Sequence, residues 1–97
     1  GNTKLRIDNV QGLKGVYYSK RDNNYRAEIQ AYNKHYYSKS FNTKAEAAYM
    51  RYLFEQYFYK DIGINNSNLM YTLIQKLSEE QKHNIQTYFK NRMKIRV

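Results

Sequence analysis

The sequence predicts an α+β fold: a three-stranded antiparallel sheet packed on one α-helix, with a helical C-terminal extension. Three observations predict it. Apolar residues alternate with a period of two before Thr43, the period changes to that of a helix at Thr43, and a further helical pattern with its own start signal opens at Ser78. A chain of 97 residues has room for one such domain and an extension. The divisions expected are 1–11 as an N-terminal arm or edge strand, 12–62 as the sheet and helix, and 63–97 as the helical extension.

Leu5-Arg6-Ile7 is the segment that adds a short edge strand or an arm, with Lys4 and Arg6 in it. In Val16-Tyr17-Tyr18-Ser19-Lys20, Val16 and Tyr18 share one face; in Tyr25-Arg26-Ala27-Glu28-Ile29-Gln30-Ala31, the odd-numbered residues do. Both read as half-buried strands. Arg21-Asp22-Asn23-Asn24 joins them as a turn, because Asp and Asn bond their own backbone and tolerate positive φ. Asn33-Lys34 marks a second turn, and residues 35–40 follow as a third strand with Tyr36 and Ser38 on one face and His35, Tyr37 and Lys39 on the other. Such short loops favour an antiparallel meander.

Thr43-Lys44-Ala45-Glu46 has the form of a capping box, and Ala47, Met50, Phe54, Tyr57 and Phe58 continue as one apolar helical face. Gly63 suits a C-cap, ending the helix near residues 60–62. Ser67 caps a short segment with Met70, Leu73, Ile74 and Leu77 on one side. Ser78-Glu79-Glu80-Gln81 is a second capping box, opening a helix with Ile85, Tyr88, Phe89 and Met93 inward; Lys90, Arg92, Lys94 and Arg96 at its end suit the helix dipole. The C-terminal helices are expected to cover the outer face of the first helix, where Tyr49, Tyr52 and Leu53 would otherwise be exposed. Their sharper role would be a homodimer contact or the recruitment of a protein partner.

The formal charge of +9 points to an anionic partner. It is unevenly spread: +5 over residues 1–42, zero over 43–63 and +4 over 64–97. Leu, Ile, Val and Phe make up only 20 residues, near the level at which a highly charged chain stays disordered, and twelve tyrosines supply the missing apolar area. With no cysteine, disulfides and thiolate chemistry are excluded, and a reducing intracellular compartment fits. His35 and His83 are too isolated for a metal site or a catalytic triad, and the four glycines make no phosphate loop, so neither an enzyme, a cofactor nor a small-molecule substrate is expected. No apolar run reaches the ~18 residues of a membrane span, and a soluble chain without membrane partners is expected. Gly1 reads as a remnant of tag removal.

One helix on one face of the sheet leaves the other face uncovered. By alternation that face displays Tyr17, Ser19, Arg26, Glu28, Gln30, His35, Tyr37 and Lys39, hydrogen-bonding groups interleaved with aromatics. A twisted sheet of this width can enter the DNA major groove, where base edges present a distinguishable pattern of donors and acceptors.

Lys14-Gly15-Val16-Tyr17-Tyr18-Ser19-Lys20, Tyr25-Arg26-Ala27-Glu28-Ile29 and Phe41-Asn42-Thr43-Lys44-Ala45-Glu46-Ala47-Ala48 together resemble the DNA-binding domain of the APETALA-two/ethylene-response-factor family over residues 12–62. The abundance of Tyr and Asn, and a turn longer than the plant form, are similar to the apicomplexan members, which are transcription factors. The resemblance implies double-stranded DNA as partner, a nuclear location, and a sheet laid in the major groove with the helix behind it. Carried over by position, base contacts fall on Tyr17, Ser19, Glu28, Gln30, His35 and Tyr37, and Lys14 joins them at the groove.

Plant members carry arginine and tryptophan at most of these positions, so their base preference does not transfer. Gln30 suits adenine, Tyr17 and Tyr37 suit a thymine methyl or a sugar, and Lys14, Lys20, Arg21, Arg26 and Lys39 suit phosphates, which together point to an A/T-containing site. Glu28, acidic on such a face, is expected to orient Arg26 or Lys39. The competing reading is a protein-interaction or chromatin-tethering module on the same fold that has lost base reading, which the arginine-poor face favours. Recognition of double-stranded RNA is a further alternative.

Overall fold

The structure, a computed structural model, describes residues 7–9, 13–59 and 68–94. The fold is α+β: strands β1 (Ile7–Asn9), β2 (Val16–Ser19), β3 (Asn24–Ala31) and β4 (Lys34–Tyr37), then helices α1 (Lys44–Phe58), α2 (Asn68–Gln75) and α3 (Glu79–Met93). β2, β3 and β4 are the three expected antiparallel strands. β1 adds a short edge strand against β2, so the strands lie in the order β1-β2-β3-β4. Leu5 and Arg6 lie outside the described residues, as do Gly63 and Ser67.

Turn chemistry fixes the register. Val16 pairs with Ala27 and Ser19 with Asn24, closed by a turn in which Asn23 takes φ 55°. Ala31 pairs with Lys34, so the second loop is Tyr32-Asn33 and not the expected Asn33-Lys34. A two-residue hairpin loop of type I′ matches the strand twist with positive φ at both central positions, and these residues have φ 53° and 64°. Asn accepts that conformation readily; Tyr does not. Here the Tyr32 ring lies edge-on to Phe58 at 6.0 Å and its hydroxyl donates to the Phe58 carbonyl at 3.5 Å, which holds the turn on the end of α1.

β4 stops at Tyr37, short of the expected residue 40. The Ser38 N–H donates to the Ala27 carbonyl while its Oγ accepts the Ala27 N–H, each at 2.9 Å. Tyr25 and Phe41 then exchange both backbone hydrogen bonds. Between these two pairings the return strand holds one residue more than the β3 strand matches, a bulge that turns residues 39 and 40 out of the pleat.

Thr43 caps α1 as expected: its Oγ1 accepts the Glu46 N–H and Glu46 Oε1 accepts the Thr43 N–H, both at 3.2 Å. The helix ends at Phe58 with Tyr59 as C-cap, earlier than residues 60–62. α1 packs on β2 and β3 on one side and on α2 and α3 on the other. It is therefore buried nearly all round, with Ala47, Ala48, Tyr49, Met50, Phe54 and Phe58 in the core. Tyr57, expected inward, is exposed, its ring meeting those of Phe58 and Phe89 edge to face. Met70, Leu73, Leu77, Ile85 and Phe89 seal the outer side of α1. The covering role expected of the C-terminal helices is observed, and these side chains are not available to a second copy. Ser78 caps α3 through the second capping box, its Oγ accepting the Gln81 N–H at 3.1 Å and Gln81 Oε1 accepting the Ser78 N–H at 2.9 Å.

Burial of α1 on both sides encloses a charged pair. Arg51 and Glu55, 3% and 1% exposed, meet at 2.7 Å between Nε and Oε2. A second guanidinium nitrogen of Arg51 donates to the Glu28 carbonyl at 2.8 Å. β2 begins only at Val16, so the β3 backbone beyond Glu28 has no strand on that side. Arg51 and Tyr59 fill the vacancy, Tyr59 donating its hydroxyl to the Gln30 carbonyl at 3.2 Å. Gly15 makes room: it has φ +80°, and a Cβ there would stand 2.7 Å from Arg51 Cδ. Because the guanidinium is held at both ends, it cannot yield to a side chain at residue 15.

Gly15→Ala is therefore expected to destabilise the fold by about 1–3 kcal/mol in urea unfolding. Arg51→Met should cost about 3–5 kcal/mol, since it leaves the Glu55 carboxylate buried without its partner. The double variant Arg51→Met/Glu55→Leu should be more stable than Arg51→Met alone; a double variant less stable than the single one would show that the pair is not the unit.

Candidate nucleic-acid interface

The sheet face turned away from α1 is built from three cross-strand pairs: Tyr17 opposite Arg26, Glu28 opposite Tyr37, and Gln30 opposite His35. Each pair sits two residues further along the strands, so every member points the same way. Three rows at ~6.8 Å per two residues, on three strands ~4.8 Å apart, make a patch of roughly 13 by 10 Å. That is close to the ~12 Å width of the major groove. Gln30, His35 and Tyr37 are exposed, while Tyr17, Arg26 and Glu28 are half-buried. Tyr37, at 45% exposure, stacks on its neighbour His35 with ring centroids 5.8 Å apart.

Two sequence expectations are corrected. Ser19 has the right parity but is only 5% exposed, and its Oγ accepts the Asp22 N–H at 3.2 Å and contacts Asp22 Oδ2 at 3.4 Å. It belongs to the turn and offers nothing to a ligand. Lys39 is not on the face, because the bulge carries it past the end of β4. Its Nζ stands 5.0 Å from the Tyr88 ring centre and 5.6 Å from that of Phe41, beside α3. Tyr25 and Tyr36, expected inward, pack against the core; Tyr18, expected there too, is half-buried and meets the Tyr25 ring across the strands at 4.9 Å while its hydroxyl donates to Asn23.

Basic groups rim the patch. Lys14 precedes β2, and Lys20 and Arg21 occupy the β2–β3 turn, all three exposed. Arg26 lies within the patch, opposite Tyr17. At the end where β2 gives out, Lys14, Tyr17, Glu28, Gln30, His35, Arg51 and Tyr59 surround an open notch of about 330 Å³. Burial raises the Tyr17 hydroxyl above its ordinary 10.0, helped by the Glu28 carboxylate and opposed by Arg51. Tyr17 is thus a neutral donor and acceptor at the notch.

Sequence reasoning missed Arg51 and Tyr59, which close this end of the patch from the helix side. The available signal was Arg51 and Glu55 at i, i+4 within an otherwise apolar helix, a spacing usually found on solvated faces. It missed equally that Arg92 of α3 donates Nε–H to the Tyr37 carbonyl at 3.2 Å. Among the described residues no three His, Asp or Glu side chains gather as a metal site requires, and no helix is long and apolar enough to cross a membrane. Comparison with protein-family models, curated proteins and solved structures finds no match for this chain.

The Tyr17 shift has a pH signature. A folded-state value above the unfolded 10.0 means that the neutral hydroxyl contributes stability below pH 10, and that this contribution is lost as pH rises through the folded value. Tyr17→Phe should therefore lose less stability than the parent between neutral pH and pH above 10, in urea unfolding at each pH. Equal losses would show that Tyr17 titrates as a free tyrosine.

Proposed function

We propose that this chain binds double-stranded DNA sequence-specifically, with the β2-β3-β4 face in the major groove, as the DNA-binding unit of a nuclear transcription factor. The observation that carries the reading is the uncovered face itself: three rows of hydrogen-bonding side chains, of groove width, rimmed by Lys14, Lys20 and Arg21. Gln30 is the residue suited to a bidentate contact with adenine, since its amide offers a donor and an acceptor side by side. His35 and Tyr37, in the same two rows, are placed for neighbouring base edges. Glu28 lies between Tyr17 and Tyr37, where it orients Arg26 or accepts from a cytosine amino group. Lys14, Lys20, Arg21 and Arg26 are the phosphate contacts, and Ser19 has no part.

A second reading keeps the fold and drops base recognition. It is favoured by one observation, an acidic side chain at the centre of the patch with a single arginine beside it, and it makes the chain a protein-interaction or chromatin-tethering module. Random-library selection separates the two: a defined motif supports DNA reading, and an unenriched pool supports the module. DNA and RNA duplexes in competition test the nucleic-acid class.

With a selected duplex in hand, Gln30→Ala and Tyr37→Ala should each weaken specific binding by about 1–3 kcal/mol while affecting scrambled duplex far less. Lys20→Ala should weaken both alike and lower the salt slope by about 0.9. An unchanged ratio of specific to scrambled binding in Gln30→Ala and Tyr37→Ala would remove the sheet as the reader.

A further inference from the structure

We infer that the C-terminal half of α3 is part of the nucleic-acid interface, where Arg92 and, further along, Lys39 each meet a DNA phosphate beside the outer edge of β4. The inference rests on the DNA reading above and extends it to a helix outside the sheet.

β4 is the outermost strand, and the Tyr37 carbonyl lies on its free edge because Glu28, its partner across the strands, directs its own backbone groups the other way, toward Gly15 and Arg51. A free edge usually meets water or another strand. Here Arg92 covers it, donating Nε–H to the Tyr37 carbonyl at 3.2 Å. One helical turn earlier, the Tyr88 hydroxyl accepts the Lys39 N–H at 2.8 Å, and the Lys39 ammonium stands over the Tyr88 ring at 5.0 Å. Lys39 also lines a shallow groove with Glu46, Gln81, Asn84 and Ile85, toward the start of α3, so the two cations stand at separate points along the strand edge, Arg92 at Tyr37 and Lys39 beyond the bulge.

The guanidinium geometry suits a phosphate. With Nε committed to a backbone carbonyl, the plane of the Arg92 group is set, and its two terminal nitrogens have no protein partner among the described residues. A fixed, exposed fork is the form in which arginine binds phosphate oxygens. The place suits it as well. When a sheet lies in the major groove, its outer strand runs beside the sugar-phosphate wall, so cations in line with that strand meet phosphates while the face meets bases. The partial negative charge at the end of α3 opposes an anion there, and Lys90, Arg92 and Lys94 offset it.

The helix also separates Arg92 from the rest of the basic tail. Lys90 lies two residues before Arg92, about 200° round the helix axis, and points away from β4, while Lys94 is the left-handed C-cap beyond the last helical residue. Charge at those positions counts toward a diffuse attraction only. The phosphate contact is a matter of position, and this makes it testable against equal losses of charge nearby.

The test is fluorescence-anisotropy titration of a short labelled duplex of scrambled sequence at several salt concentrations, with the full chain and the variants Arg92→Ala, Lys39→Ala, Lys90→Ala and Lys94→Ala. Arg92→Ala is expected to weaken binding by about threefold to tenfold and to lower the salt slope by about 0.9, the loss of one phosphate contact. Lys39→Ala should act in the same direction, and Lys90→Ala and Lys94→Ala should keep the parental slope. Thermal melts control for folding, and Arg92→Lys, which keeps the charge while giving up the Nε bond, should keep most of the slope. If the parent binds duplex and Arg92→Ala keeps its slope and affinity, or if Lys90→Ala lowers them as much, the phosphate contact of α3 is overturned while the sheet reading stands. If the parent binds no duplex, both fall.

Discussion

The arrangement of this molecule depends on one buried contact, the Arg51 guanidinium held between the Glu55 carboxylate and the Glu28 carbonyl. A charge so far from water is costly unless it is paired and hydrogen-bonded, and here Glu55 supplies the countercharge and the Glu28 carbonyl a second acceptor. The contact joins the middle of α1 to the point on β3 where β2 ends, so it ties helix and sheet at one spot. Gly15 is the backbone feature that permits it. With the helix held on this side, none of the described helices covers the opposite face of the sheet, where Tyr17 and Glu28 are half-buried and Gln30 and Tyr37 exposed.

Tyrosine takes over work that aliphatic residues do in a larger core. Each of several hydroxyls joins two elements: Tyr18 to the turn at Asn23, Tyr49 to Gln86 of α3, Tyr59 to the Gln30 carbonyl, and Tyr88 to the Lys39 N–H. Their rings bury apolar area and their hydroxyls satisfy backbone or amide groups at the boundary. Two of these bonds, those of Tyr59 and Tyr88, with those of Arg51 and Arg92, end on backbone groups near the two edges of the β3-β4 hairpin. That pattern protects a small sheet against edge pairing without lengthening it.

Much of the site was legible because strands alternate strictly. Once Val16, Ala27 and Ile29 are assigned to the core, Tyr17, Arg26, Glu28 and Gln30 must face the other way, and His35 and Tyr37 follow through the short hairpin. Ser19 failed although its parity is right, since a turn beside it took its hydroxyl; parity tells direction and not occupancy. Lys39 failed because a bulge breaks the alternation, and the insertion is visible only when the pairings of Ser38 and Phe41 are known together. The turn at Tyr32-Asn33 was displaced by one residue for a related reason. Asn is the stronger turn former, but the pairing of Ala31 with Lys34 decides which two residues remain between the strands.

What the sequence determined by itself is therefore local: the periods of two and 3.6, the capping boxes at Thr43 and Ser78, the number of expected strands and the side of the sheet on which each strand residue falls. These rest on backbone geometry and on groups within four residues of one another. Tertiary structure alone decided where α3 lies, that Arg51 and Glu55 are enclosed and not solvated, and that Arg92 reaches the Tyr37 carbonyl while Lys39 stands over Tyr88 of the same helix. Charge counted along the chain separates the basic N-terminal segment from the basic tail. Packing of α3 against α1 brings the tail beside the sheet: Ile85 and Phe89 are buried in the core, and Arg92, one turn on, reaches the Tyr37 carbonyl.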